Sequence, residues 1–145
     1  MREEGIDKIE VHVSGICFHK GKVLILKRSD SRKLYPGLWE CGGGQVGEGE
    51  NFEEAVVRQL EEEAGVIVDP IGIVSVYEII DDEEKIPGIR FVCKIVRFVD
   101  GHEPVLSEEH SEWKWQGVSG LDEIELVPEL KESIRHAYSI YNGKN

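Results

Sequence analysis

The sequence predicts an α/β domain in which a mixed β-sheet lies between helices. Three observations carry that prediction. Runs rich in Val and Ile recur at strand length, two amphipathic helical patterns stand far apart in the chain, and no internal repeat or low-complexity linker interrupts its 145 residues. A chain of this size is most simply one domain, residues 1–145, with a core that needs no disulfide or metal staple.

Residues 8–19 read as a strand, with Val11 and Val13 leading into the apolar run Ile16, Cys17, Phe18. His19, Lys20, Gly21 and Lys22 make a tight turn. Residues 23–27, VLILK, are continuously apolar up to the lysine, the pattern of a strand covered on both faces. Residues 29–37 are a polar loop closed by Pro36 and Gly37, and residues 38–41 are a short strand entering a glycine loop. Asn51 is a good N-cap, with Glu54 as the reciprocal member of a capping box. Phe52, Val56, Leu60 and Ala64 recur at helical spacing as the buried stripe, and Gly65 ends the helix. Residues 66–80 and 89–98 are strands joined by an acidic turn at 81–85. Residues 99–112 read as loop and 113–116 as a short strand. Residues 127–141 form the last helix, with Leu130, Ile134, Ala137 and Tyr141 along one side and Pro128 in its first turn.

Composition excludes several functions. The formal net charge of -12 argues against nonspecific binding to nucleic acid or to an anionic membrane. No apolar run approaches the roughly 18 residues of a membrane span, and MREEGIDKIE is no signal peptide, so a cytoplasmic protein is expected. Cys17, Cys41 and Cys93 are widely spaced in apolar runs, which fits buried, reduced thiols. The same acidity means that a polyphosphate would be repelled unless cations stood between it and the protein.

The chemistry concentrates in residues 42–66, GGGQVGEGENFEEAVVRQLEEEAGV. Gln59, Glu62 and Glu63 are three and four residues apart and are expected to share one helical face. Like charges at helical neighbour spacing each cost roughly 0.2–0.5 kcal/mol. Two charges about 4 Å apart at an effective dielectric near 20 repel by about 4 kcal/mol. A divalent cation removes that penalty and turns the cluster into an anion acceptor, since hard cations take carboxylate oxygens. An arbitrary run of glutamates is ordinarily a solvated face. The three glycines at the entry and the spacing from Gly44 to Glu50 to Arg58 argue otherwise.

That spacing resembles the signature of the Nudix hydrolases, G-x5-E-x7-R-E-U-x-E-E-x-G-U with U a bulky aliphatic residue. Gly44, Glu50, Arg58, Leu60, Glu62, Glu63, Gly65 and Val66 fall on its positions, and Gln59 stands where the family has Glu. The approach Leu38-Trp39-Glu40-Cys41-Gly42-Gly43 is similar to the family's LWEFPGG, with Cys41 and Gly42 in place of Phe and Pro. Gly47 stands where many members have Glu.

The resemblance implies an α/β/α sandwich and a bound Mg²⁺ or Mn²⁺ that bridges to a diphosphate. By position, Glu62 and Glu63 would be metal ligands, with a backbone carbonyl from Gly43 or Gly44. Gln59 would offer an uncharged amide oxygen at a usual ligand position, weakening the metal and the rate. Glu50 and Arg58 would be structural. Members commonly draw a further glutamate from a downstream loop as ligand or base; Glu109 is the first choice, with Glu108 and Glu112 behind it. Lys27 and Arg28 face opposite ways, and one of them, Arg28 by resemblance, could reach a phosphate. His110 reads as a surface histidine. Trp39, Tyr77, Trp113 and Trp115 could stack on a base, though core packing is the default for each.

The implied function is a metal-dependent pyrophosphohydrolase, with Glu62, Glu63 and Glu109 catalytic. It would cleave the diphosphate linkage of a nucleoside triphosphate or another nucleoside diphosphate derivative. Its partner would be a small nucleotide; a homodimer is left open. The alternative is a nucleotide-binding or sensor domain whose chemistry Gln59 has weakened.

Overall fold

A computed structural model describes residues 9–143 of the chain. Among them, seven strands form one mixed sheet. Strand β1 (His12–His19) turns into β2 (Lys22–Arg28) through Lys20 and Gly21, both left-handed at φ 53° and 82°. Two successive positive φ values give a tight hairpin whose twist suits its strands, and Gly21 adopts one without strain.

The hairpin pairing covers only Phe18 with Val23 and His19 with Lys22. Beyond it, β4 (Gly42–Gln45) pairs antiparallel with the first half of β1, while β3 (Trp39–Glu40) and β7 (His110–Gln116) pair with β2. The sheet therefore splits between β1 and β2. On its other edge β1 runs parallel to β6 (Glu84–Phe98), and β5 (Val66–Asp81) closes the sheet against β6.

Alternation of side chains across β1 and β2 builds two cores. Val13, Cys17, Leu24 and Leu26 pack with Ala55, Val56 and Leu60 of helix α1 (Phe52–Ala64). Ile16, Phe18, Val23 and Ile25 pack on the opposite face with Leu130, Ile134 and Ala137 of α2 (Leu130–Tyr141). The strand expected to be covered on both faces is so covered, and the layers are α/β/α. A short 3₁₀ turn, Val118–Glu123, precedes α2 and buries Leu121. All three cysteines are buried and free, and burial pushes the Cys41 thiol up to about 12. Among the described residues, no helix is long and apolar enough to cross a membrane.

The capping box forms as expected: the Glu54 N–H donates to Asn51 at 2.7 Å and the Asn51 N–H to Glu54 at 2.9 Å. Several expectations need correction. Phe52, at the first helical position, is 42% exposed, and the buried stripe includes Ala55 instead. The glycines are not a loop but the strand β4. A Cβ on Gly43 would overlap the Val13 carbonyl oxygen and approach the Ser14 Cα to 2.7 Å, so this strand passes closer to β1 than a side chain allows. The β5–β6 strands run on to pair Asp81 with Glu84, which leaves only Asp82 and Glu83 as the turn. Strand β7 begins at His110 rather than 113. Helix α2 begins at Leu130, after Pro128, because Leu126 bridges to Trp39 and the Val127 N–H donates to the Trp39 carbonyl, which keeps that segment extended.

Candidate active site

Where the sheet splits, a cleft of about 680 Å³ opens, lined by Ser14, Arg28, Glu40, Gly43, Gln59, Glu63, Tyr77, Arg90 and Glu109 among others. Residues from β1, β2, β3, β4, α1, β5, β6 and the loop before β7 thus meet in one place.

Glu63 is the buried carboxylate of α1, 6% exposed, and accepts the Gly43 N–H at 3.1 Å. Burial pushes its carboxyl up to about 8, the Gly43 N–H offsets part of this, and the nearby Glu109 and Glu40 charges push the same way against Arg32. A carboxylate in that condition lacks a counter-cation.

Gln59 lies one turn earlier on the same face. Its amide nitrogen donates to the Gln45 carbonyl at 3.0 Å. A Cβ on Gly44 would come within 2.6 Å of that amide, so glycine there makes room for the Gln59 side chain. Glu62 is elsewhere. Its side chain is 60% exposed, is held by Arg58 at 3.2 Å and does not line the cleft. One residue of an α-helix turns about 100°, so the expected three-residue face divides into a cleft pair, Gln59 and Glu63, and a flank residue.

Glu50 and Arg58 clamp the approach to α1. Arg58 donates through Nε at 2.6 Å and Nη2 at 2.9 Å to the two Glu50 oxygens, and the Gly47 N–H adds a bond of 2.6 Å. The guanidinium and that N–H hold the Glu50 carboxyl down to about 2.

Of the three downstream glutamates, Glu109 is the one lining the cleft. Its loop is tied to the end of α1 by Ser107 N–H to the Glu63 carbonyl (3.1 Å) and to the residue after β2 by Ser29 N–H to the Glu109 carbonyl (3.0 Å). Arg32 holds its carboxylate at 3.3 Å. Glu108 is exposed, and Glu112 lies on the outside, where Lys27 contacts it at 3.5 Å. Lys27 therefore faces away from the cleft, as strand alternation requires, and is corrected as a substrate contact.

Arg28 faces in and is tied at two atoms: its Nε donates to the Leu34 carbonyl at 2.7 Å and its Nη1 to Glu40 at 2.8 Å. The other Glu40 oxygen meets His110 Nε2 at 2.7 Å. His110 is 4% exposed, which corrects the surface reading. Nothing local could have revealed it, since the partner that buries it stands 70 residues away. Trp39, Trp113 and Trp115 are part of the packing around the cores; of these four aromatics Tyr77 lines the cleft, where Tyr35 joins it. Arg90, whose guanidinium lies 4.3 Å over the Tyr77 ring, was not legible as a site residue, being an isolated arginine in a strand.

The donors suit a hard cation: the Glu63 carboxylate, the Gln59 amide oxygen, the Glu109 carboxylate and the backbone at Gly43 and Gly44 are all oxygen ligands. Glu63, short of positive charge, is the observation that favours one. Among the described residues no three His, Cys, Asp or Glu side chains already converge on a metal position. Arg32 on Glu109 and Arg58 on Glu62 are the internal cations that a metal would displace.

The NUDIX domain family matches residues 8–137 of the chain. Nucleoside triphosphatase NudI of Escherichia coli O139:H28 is 44% identical over 45 residues, 31% of this chain and 32% of that protein, so the match spans about a third of the curated relative. The solved MutT protein of Methanosarcina mazei Go1 superposes with a TM-score of 0.75 at 25% identity, over 95% of this chain and 99% of its own. An ADP-ribose pyrophosphatase of Streptococcus suis shares the fold with a TM-score of 0.70 at 15% identity, over 95% of this chain and 96% of its own.

Proposed function

Because the chain belongs to the NUDIX domain family, we propose that it is a metal-dependent hydrolase of the diphosphate linkage in a nucleoside triphosphate or related nucleoside diphosphate derivative. The observation that carries this reading is Glu63, a buried carboxylate short of positive charge, fixed on the Gly43 N–H inside the cleft. Oxygens of Glu63, Gln59 and Glu109, with a carbonyl of Gly43 or Gly44, would hold Mg²⁺ or Mn²⁺. Glu62 joins them only by leaving Arg58.

When bound, such a cation supplies positive charge to phosphoryl oxygens and makes water more acidic. The chain's own residues do the rest. Glu109, freed from Arg32, takes the proton of the attacking water. Arg32, once released, remains at the rim as a cation for the phosphate chain. The Glu50–Arg58 clamp holds β4 and α1 together, so that Gly43 and Glu63 keep their spacing. An acidic protein can then accept a polyphosphate, because the cation comes first.

The test is a panel of nucleoside triphosphates and sugar or dinucleoside diphosphates, with Mg²⁺ and with chelator, followed by ³¹P NMR. Cleavage of a diphosphate linkage that stops with chelator is expected. No cleavage across the panel sinks the proposal. One observation favours a weaker, nucleotide-binding variant of the same site: Gln59, uncharged, spends its amide N–H on the Gln45 carbonyl. Nucleotide binding by calorimetry without turnover would select it.

A further inference from the structure

We propose that Tyr77 and Arg90 form the seat for the substrate's base, and that this seat prefers bases with a carbonyl at pyrimidine C4 or purine C6 (uracil or guanine) over those with an amino group there (cytosine and adenine). The inference rests on the nucleotide-hydrolase reading above and specifies its substrate.

Register fixes the place. Ser14 of β1 pairs with Gly43 on one side and with Arg90 on the other. With strands about 4.8 Å apart, the Arg90 backbone lies roughly 10 Å across the sheet from Gly43, where Glu63 is anchored. A sugar and a phosphate lie between the reacting phosphorus and a base, so Arg90 stands at the base end.

The pair is preorganised. The Tyr77 ring lies flat on Gly88, its cross-strand partner, where any Cβ would enter the ring. The Arg90 guanidinium covers that ring at 4.3 Å, and its Nη1 donates to Ser133 Oγ of α2 at 3.2 Å. A stacked guanidinium fixed at one corner offers a flat edge in a set orientation.

Charge separates Arg90 from the other arginines of the cleft. Arg28 is paired with Glu40 and Arg32 with Glu109, whereas Arg90 has no carboxylate partner among the described residues. Its Nε also finds no hydrogen-bond partner there. A guanidinium carries five N–H donors and no acceptor, so what it meets in the cleft must be an acceptor. Ile79, Ile86 and Leu130 supply apolar lining in the same cleft, which Glu78, Asp81 and Glu129 also line. A planar guanidinium backed by the Tyr77 ring, in a cleft whose acidic side chains repel phosphate, fits a planar heterocycle better than a phosphate. A carbonyl at C4 or C6 satisfies Arg90; an amino group at that position turns donors against it.

Two matched comparisons test this: kcat/KM for UTP against CTP and for GTP against ATP, at saturating Mg²⁺. Wild type is expected to favour the carbonyl base by about tenfold in each pair, since a site built to hydrogen-bond a substrate group discriminates against its absence. Arg90→Met should bring both ratios near one, because kcat/KM falls more for UTP and GTP than for CTP and ATP. Ser133→Ala, which only loosens the guanidinium, should lower both ratios partway, and it carries the test if Arg90→Met melts early. Absence of base preference in wild type overturns the inference. So does an equal loss on all four nucleotides, which would put Arg90 on the phosphate chain. If none of the four is cleaved, the wider panel decides the hydrolase reading, and calorimetric affinities for the same four nucleotides read the base ratios instead, equal affinities overturning this inference.

Discussion

Gly43→Ala should be the most damaging of three adjacent alanine substitutions, although Gly42, Gly43 and Gly44 all lie in one short strand. None of the three has a left-handed φ, so the comparison is purely steric. At Gly43 the new methyl group would overlap the Val13 carbonyl oxygen and sit 2.7 Å from the Ser14 Cα, both backbone of β1. Backbone cannot rotate away, so β4 must lift from β1. Overpacking of this kind costs about 3 kcal/mol at the upper end, offset by about 0.5–1 kcal/mol from the stiffer unfolded chain. The net loss, roughly 2 kcal/mol, lowers Tm by about 5–8 °C in a domain of this size. At Gly44 the atoms nearest the methyl all belong to the Gln59 amide, at 2.6 Å. That side chain can swing out, giving up its bond to Gln45 for about 1 kcal/mol. Gly44→Ala should therefore melt close to wild type while losing Mg²⁺-dependent turnover. At Gly42 the neighbours are the ends of Leu60, Glu63 and Leu26 side chains at 3.1, 3.2 and 3.4 Å, and the substitution should be nearly silent in melting. Thermal melts of the three variants beside single-turnover rates settle the order. If Gly43→Ala melts like wild type, or if Gly44→Ala is the less stable of the two, the close-approach reasoning is wrong.

Other perturbations have equally definite outcomes. Glu63 is protonated more readily in the folded protein, at about 8 against an ordinary 4.5. In the metal-free protein the Glu63 contribution to stability should thus be fully present below about pH 4.5 and be lost, on the order of 5 kcal/mol, as pH rises through 8. Glu63→Gln should flatten that slope in denaturant titrations across the window, and a variant that keeps it removes Glu63 as the cause. Gln59→Glu cannot donate to the Gln45 carbonyl and sets a second carboxylate beside Glu63. It should melt earlier without metal, by about 1–2 kcal/mol, and recover with Mg²⁺; equal melting with and without the ion would count against Gln59 as a ligand position. Glu50, held down to about 2, stabilises the fold above about pH 4.5 and loses that effect as pH falls through 2. Glu50→Gln should remove this acid limb and speed amide exchange at Gly47, whose N–H it receives. Unchanged exchange there would show the clamp to be idle.

The site was legible in part. The spacing from Gly44 to Glu63 could be read because it is local: the glycines, the capping box and the i, i+4 step from Gln59 to Glu63 all fall within two neighbouring elements. The direction of Glu62 could not be read, because Arg58 on one side and the cleft on the other compete for it, and only packing decides. Lys27 and Arg28 were known to oppose each other; which one faced inward depended on where β3 and β7 lay against β2. His110, Glu40 and Arg28 form their network from three distant segments, and sequence distance hides such a contact.

The chain on its own determined the composition of the two apolar faces, the caps of α1 and the run of oxygen donors, since each is written in residues a few positions apart. Only the tertiary structure decided that the glycines make a strand and that Glu63 rather than Glu62 enters the cleft. It also decided that Tyr77 and Arg90 stand across the sheet from it. The physical reason is that burial and strand register are set by partners far along the chain, and these fix which charges lose water and which keep it.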